Sequence, residues 1–155
     1  MTLLNLGHLT AHLSLAFVLG ILIGSERQLR ARAAGLRTTT LISLGSALFT
    51  VLGAEAFGGG DPTRVTAQIV SGIGFLGGGV IIKHGASISG LNTAATMWSS
   101  AAIGALCGTG LWEIALIGSI LIVLANSVLR PLSRMLAKTT ELESEDASYA
   151  AEPAM

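Results

Sequence analysis

Ser89 to Gly108 read SGLNTAATMWSSAAIGALCG, a stretch that hydropathy places across a membrane and that nonetheless carries Asn92, Thr93, Thr96, Ser99 and Ser100. At 100° per residue, Thr93, Thr96, Ser100, Gly104 and Cys107 fall within an arc of about 80°, while Trp98, Ala102 and Ala105 turn largely away. A helix with such a lane must lay it against protein or water rather than lipid. Asn92 stands where an N-cap belongs, with a side-chain oxygen able to satisfy free N–H groups of the first turn. The sharper reading makes Asn92, with Thr93, Thr96 and Ser100, a surface that recognises another membrane helix.

The rest of the chain has the same character. Of 155 residues, 51% are hydrophobic and only 12% charged, and the mean hydropathy is +0.71, which no soluble surface supports. Charge is segregated. Leu9 to Gly24, Thr38 to Ala54 and Ile114 to Leu129 contain no Asp, Glu, Lys or Arg, and each approaches the length that crosses roughly 30 Å of hydrocarbon. The pattern predicts an all-α integral membrane bundle of five transmembrane helices, about 8–25, 38–55, 65–82, 91–108 and 111–129, within a membrane domain covering 1–138. Because MTLLNLGH has no basic residue before its apolar run, it does not read as a cleaved signal peptide, and the first helix is expected to stay.

Basic residues give the orientation. Arg27, Arg30, Arg32 and Arg37 lie between spans one and two, Lys83 between three and four, and Arg130, Arg134 and Lys138 after five, leaving only Arg64 on the other side. Eight of nine on one face places the N-terminus outside and the C-terminus in the cytoplasm. Residues 139–155 hold five acids and no base; they read as an acidic, disordered cytoplasmic tail. Gly-Leu-x-Thr recurs at Gly35 and Gly90, a spacing of 55 residues, which suggests two helical hairpins in parallel repeat with Arg37 and Asn92 equivalent.

Glycine supplies the second motif. Gly20 with Gly24, Gly74 with Gly78 and Gly104 with Gly108 each make a GxxxG pair that lets backbones approach closely. For span three, rich in glycine at Gly72, Gly74, Gly77, Gly78 and Gly79, three readings stand: close packing in one bundle, a self-association face, or a broken helix that unwinds at Gly77–Gly79. The Walker spacing is absent, so no phosphate loop is expected. In the cytoplasmic charge cluster of Glu26, Arg27, Arg30, Arg32 and Arg37, the carboxylate is expected to pair with a loop arginine, and the basic residues to grip anionic lipid headgroups. His8 and His12, with Glu55, Asp61 and Glu113, are too loosely placed to define a metal site. Cys107, the lone cysteine, reads as a packed thiol. No cofactor, metal or nucleic acid is expected, and no cluster joins a nucleophile, a base and an oxyanion site, so no enzyme is expected.

GSERQLRARAAGLRTTTLIS, AQIVSGIGFLGGGVIIKHGASISGLNTAATMWSSAAIGALCG and ANSVLR closely resemble the hydrophobic domain of the MgtC/SapB family of bacterial inner-membrane proteins, over roughly Leu15 to Arg130. The resemblance implies a multi-pass, five-helix protein of the bacterial cell inner membrane, linked to adaptation to low magnesium and, in pathogens, to virulence inside macrophages. It also implies a regulator that restrains the F-type ATP synthase through its membrane sector, with Asn92 at the family's functional asparagine and Cys107 at the family's cysteine. Family members usually continue into a cytoplasmic ligand-binding module, whereas this sequence runs only about 25 residues past its last helix, closer to SapB-type members. The reading is a non-enzymatic regulator that contacts a membrane-protein partner and lipid, with homo-oligomers possible. The alternative is a small ion channel or transporter, for which Gln68, Ser71, Asn126 and the span-four hydroxyls are the central candidates.

Overall fold

The computed structural model describes residues 3–56, 62–129 and 131. In order, these form α1 (Leu3–Leu29), α2 (Leu36–Ala56), α3 (Pro62–Gly79), β1 (Ile82–His84), β2 (Ser87–Ser89) and α4 (Leu91–Gly108), then α5 (Trp112–Leu129). The chain divides into two units, Met1–Val123 and Leu124–Met155; of the second, the described part is the end of α5 and Pro131. Residues 57–61, Asp61 among them, the basic residues Arg130, Arg134 and Lys138, and the acidic stretch 139–155 lie outside the described residues.

α1, α2 and α5 are long and apolar enough to cross a membrane. α3 and α4 are helices of 18 residues each, but their glycines and hydroxyls leave them below that standard of apolarity. α1 runs one turn further than expected, so Glu26 and Arg27 belong to its last turn rather than to a loop.

Two corrections concern the segment between α3 and α4. Gly77–Gly79 do not unwind: the helix continues through Gly79 and ends there. The chain then turns into a two-stranded antiparallel hairpin pairing Ile82 with Ser89, Lys83 with Ile88 and His84 with Ser87, so the fold is not purely α. Its two-residue loop starts at Gly85, φ 59°, the positive-φ position that a type II′ turn reserves for glycine. α4 ends in a Schellman motif: the Leu111 N–H donates to the Leu106 carbonyl and the Gly110 N–H to that of Cys107. Gly110 takes the required positive φ of 82°.

α2 is the centre of the first unit, lying against both α1 and α4. Glycines make these approaches possible. A β-carbon on Gly20 would stand 2.7 Å from the Cα of Thr40, and one on Gly108 2.7 Å from the carbonyl oxygen of Ala47. On Gly24 it would overlap the Thr39 hydroxyl, and on Gly104 the Ser43 carbonyl. The face α2 presents is polar: Thr39, Thr40, Ser43, Ser46 and Thr50 are all buried. The Ser43 hydroxyl donates to the Ala16 carbonyl at 2.8 Å and the Thr39 hydroxyl to the Gly20 carbonyl at 3.1 Å. Small residues thus bring the backbones together, and hydroxyls bond across the seam.

The remaining core is apolar. Ala16, Leu19, Ile23, Ala47, Ile103, Cys107 and Ala115 form one cluster, and Ile73, Met97 and Ala101 another. The two Gly-Leu-x-Thr segments both open helices, α2 at Leu36 and α4 at Leu91, with Arg37 and Asn92 exposed at equivalent second positions. The likeness stops there. Ser43 is buried against α1, whereas Trp98, which the 55-residue spacing would match to it, is half exposed.

Candidate functional site

The polar lane of α4 meets an arginine. Arg27, in the last turn of α1, is only 1% exposed and is the largest fully buried side chain among the described residues. Its Nη2 donates to the Thr93 hydroxyl at 2.7 Å, its Nη1 to the Thr96 hydroxyl at 3.1 Å, and its Nε to the Ala34 carbonyl at 3.0 Å. The Thr96 hydroxyl in turn donates to the Asn92 carbonyl at 2.8 Å. A relay therefore runs from the α1 guanidinium through Thr96 to the backbone of Asn92. The planar fork of arginine presents fixed donors to three acceptors on two segments at once.

Every acceptor in this cage is neutral. Among the described residues the one ion pair is Glu26 with Arg30, 2.5 Å apart, so the expected pairing of Glu26 is met within the cluster and Arg27 is left with hydroxyls and a carbonyl. The remaining members, Arg32 and Arg37, are exposed. The loop holding Ala34 is locally strained. Ala31 and Ala34 both have positive φ, 49° and 47°, a region that costs a residue with a β-carbon roughly 1–2 kcal/mol. The Ala31 and Arg32 N–H groups bond back to the Gln28 and Arg27 carbonyls, closing α1 as a Schellman turn with alanine where glycine is usual.

Capping of α4 by Asn92 is corrected. The N-cap is Gly90, φ 91°, with no side-chain cap bond. A β-carbon there would overlap the Val80 carbonyl, so the turn that follows α3 presses directly on the start of α4. Asn92 is one residue inside the helix and exposed. Thr93, Thr96 and Ser100 are buried, and the Ser100 hydroxyl donates to the Thr96 carbonyl at 2.8 Å. In this fold these three hydroxyls face their own chain. Of the residues proposed to meet a partner, Asn92 is the one at the surface.

The glycines divide likewise. Gly20, Gly24, Gly104 and Gly108 pack within the chain, and the β-position of Gly77 lies 3.5 Å from Ala94. At Gly74 and Gly78 a β-carbon would meet nothing within 4 Å among the described residues. Along α3, Ala67, Ser71, Gly74 and Gly78 are all exposed; their spacings of four, three and four put them on one face, turned away from Ile73 and Gly77, which meet α4.

Cys107 is buried and free. His12 sits beside Gly110, 3.2 Å from where its β-carbon would be, and His8 is exposed. Among the described residues no group of three His, Cys, Asp or Glu converges on a possible metal position. Sequence reasoning missed the inward turn of Arg27 and the hydroxyl face of α2. The latter was accessible, since Thr39, Ser43, Ser46 and Thr50 fall within an arc of about 60° by the count applied to α4.

Sequence comparison matches most of the chain to known proteins. The MgtC family profile matches residues 13–135. "Protein MgtC" of Brucella abortus is 55% identical over 131 residues, covering 84% of this chain and 55% of that protein. "Protein MgtC" of Salmonella typhimurium is 51% identical over 121 residues, covering 78% of this chain and 52% of that one. An uncharacterized protein of Synechocystis sp. is 54% identical over 135 residues, covering 84% and 58%. The chain thus spans little more than half the length of these relatives. No solved structure matches it.

Proposed function

The chain belongs to the MgtC family, and on that premise we propose that it is a five-span protein of the bacterial inner membrane, N-terminus outside, which regulates another membrane protein through helix contacts and catalyses no reaction. The observation that carries this reading is the outward face of α3, where Gly74 and Gly78 have no neighbour among the described residues to make room for. Glycine weakens a helix by up to about 1 kcal/mol relative to alanine. In lipid, its compensation is the close approach of a second helix. The exposed Asn92, beside the buried arginine cage, supplies a polar contact at the cytoplasmic rim.

The membrane sector of the F-type ATP synthase is the partner proposed, and limitation for magnesium the setting; in pathogenic bacteria, growth inside host cells is a second setting. The channel reading is the weaker one. Gln68 and Ser71 are exposed on α3, and the α4 hydroxyls are engaged by Arg27 and by their own backbone.

ATP-driven proton pumping in inverted membrane vesicles tests the proposal. Added wild-type protein is expected to slow pumping, and Asn92→Ala to relieve the inhibition at least severalfold. Identical pumping with and without the protein would remove the ATP synthase as partner. Ion flux through liposomes holding the purified chain alone would favour the channel instead.

A further inference from the structure

Between α2 and α3 lies a lateral groove of about 1100 Å³. The two helices meet near one end, where a β-carbon on Gly53 would press on the Val65 side chain. Along its length the groove is lined by side chains such as Phe49, Ile69 and Leu76, with Met97 of α4 also in the wall. Arg64 and Gln68, one helical turn apart on α3, are the polar groups beside the closed end. Among the described residues Arg64 has no carboxylate partner.

We propose that this groove is a site for an anionic phospholipid, with Arg64 and Gln68 holding a phosphodiester that carries no cation of its own and an acyl chain lying along α3. Three observations select this occupant. First, Arg64 is the one basic residue of nine that breaks the charge bias of the chain, and it stands at the groove. A guanidinium offers a phosphate two parallel N–H donors. Second, from Arg64 to Leu76 is twelve residues, about 18 Å of helix, close to the roughly 15 Å of one hydrocarbon leaflet. Third, the walls are mostly apolar, suited to a flexible methylene chain. Ala67 of the small-residue lane stands at the groove's edge, and Ser71, Gly74 and Gly78 of that lane do not line it.

The site does not depend on the regulatory reading. The leaflet that supplies the lipid does depend on the five-span topology: with the N-terminus outside, it is the outer leaflet of the inner membrane.

Native mass spectrometry of the full chain in mild detergent, titrated with phosphatidylglycerol or phosphatidylcholine, decides the matter. Wild type is expected to keep one phosphatidylglycerol per chain at activation energies that strip phosphatidylcholine. Arg64→Gln is expected to cut that retention at least fivefold and Arg64→Lys to restore part of it. Gly72→Leu fills the groove where the glycine meets nothing within 4 Å, and is expected to lower retention of both lipids, with helicity checked by circular dichroism. Lys83→Gln, on the exposed hairpin, is expected to change nothing. Retention by Arg64→Gln equal to wild type would overturn the proposal. So would equal retention of the two lipids, or a dimer mass without lipid. The assay is blind to membrane side, so a wrong topology would leave its result intact and show only in labelling of the two faces.

Discussion

At the scale of single residues, Arg27 decides the most. A buried cation without a carboxylate is stable only where neutral acceptors take up its donors, and here Thr93, Thr96 and Ala34 do so. Thr93→Val keeps the shape of that side chain and removes the acceptor at 2.7 Å. It is expected to cost roughly 2 kcal/mol, the penalty of a buried donor left unpaired. Arg27→Met added to Thr93→Val should recover part of that loss, because an apolar pair leaves fewer groups unsatisfied. Thermal unfolding in detergent measures both; a double variant less stable than Thr93→Val would refute the pairing as the cause. Nothing in the local sequence announces the partnership, since Arg27 and Thr93 lie 66 residues apart. The Glu26–Arg30 pair, at helical spacing, could be anticipated.

At the scale of elements, identical GxxxG spacings have opposite roles. Gly104 lies against the backbone of Ser43, so Gly104→Ala should destabilise by about 2 kcal/mol, within the usual cost of overpacking. Gly74 faces open space, so Gly74→Ala should be neutral or stabilise by up to about 1 kcal/mol through helix propensity, while weakening any partner held by that face. Comparing the unfolding midpoints of the two variants, with copurification of partner as second readout, tests this; equal losses of stability would contradict the packing. Sequence periodicity found the glycine pairs and the bounds of α4. It could not find which pair is used, because an angular count locates residues on their own helix and is silent about what stands opposite.

At the scale of the whole molecule, the direction in which each helix crosses sets which loops face the cytoplasm. α3 and α4 lack the apolarity of α1, α2 and α5, yet α4 is packed against α2 with its hydroxyls satisfied inside the chain, so it can lie in lipid at little polar cost. In the five-span arrangement the Ile82–Ser89 hairpin is cytoplasmic and the α4–α5 turn is outside. The native thiol, Cys107, is fully buried, which leaves introduced cysteines as the reactive ones. An impermeant maleimide added to intact cells should label Thr109→Cys at once and Ser87→Cys only after permeabilisation. Labelling of both from one side would mean that α4 does not cross.

The sequence by itself determined that this chain is a membrane protein built mainly of helices, and that α4 carries a polar lane needing a partner. Those properties follow from composition, charge segregation and the 3.6-residue period, which act over one or two turns of chain. Tertiary structure alone decided that the partner of the lane is Arg27 of the same chain. It also made α2 the hydroxyl-rich centre, turned the loop before α4 into a hairpin, and left Asn92, Gly74 and Gly78 facing outward. The physical reason is that burial and hydrogen bonding are satisfied between segments distant in sequence. Which segments meet depends on the close approaches that glycine permits, and a single helix read alone does not contain that information.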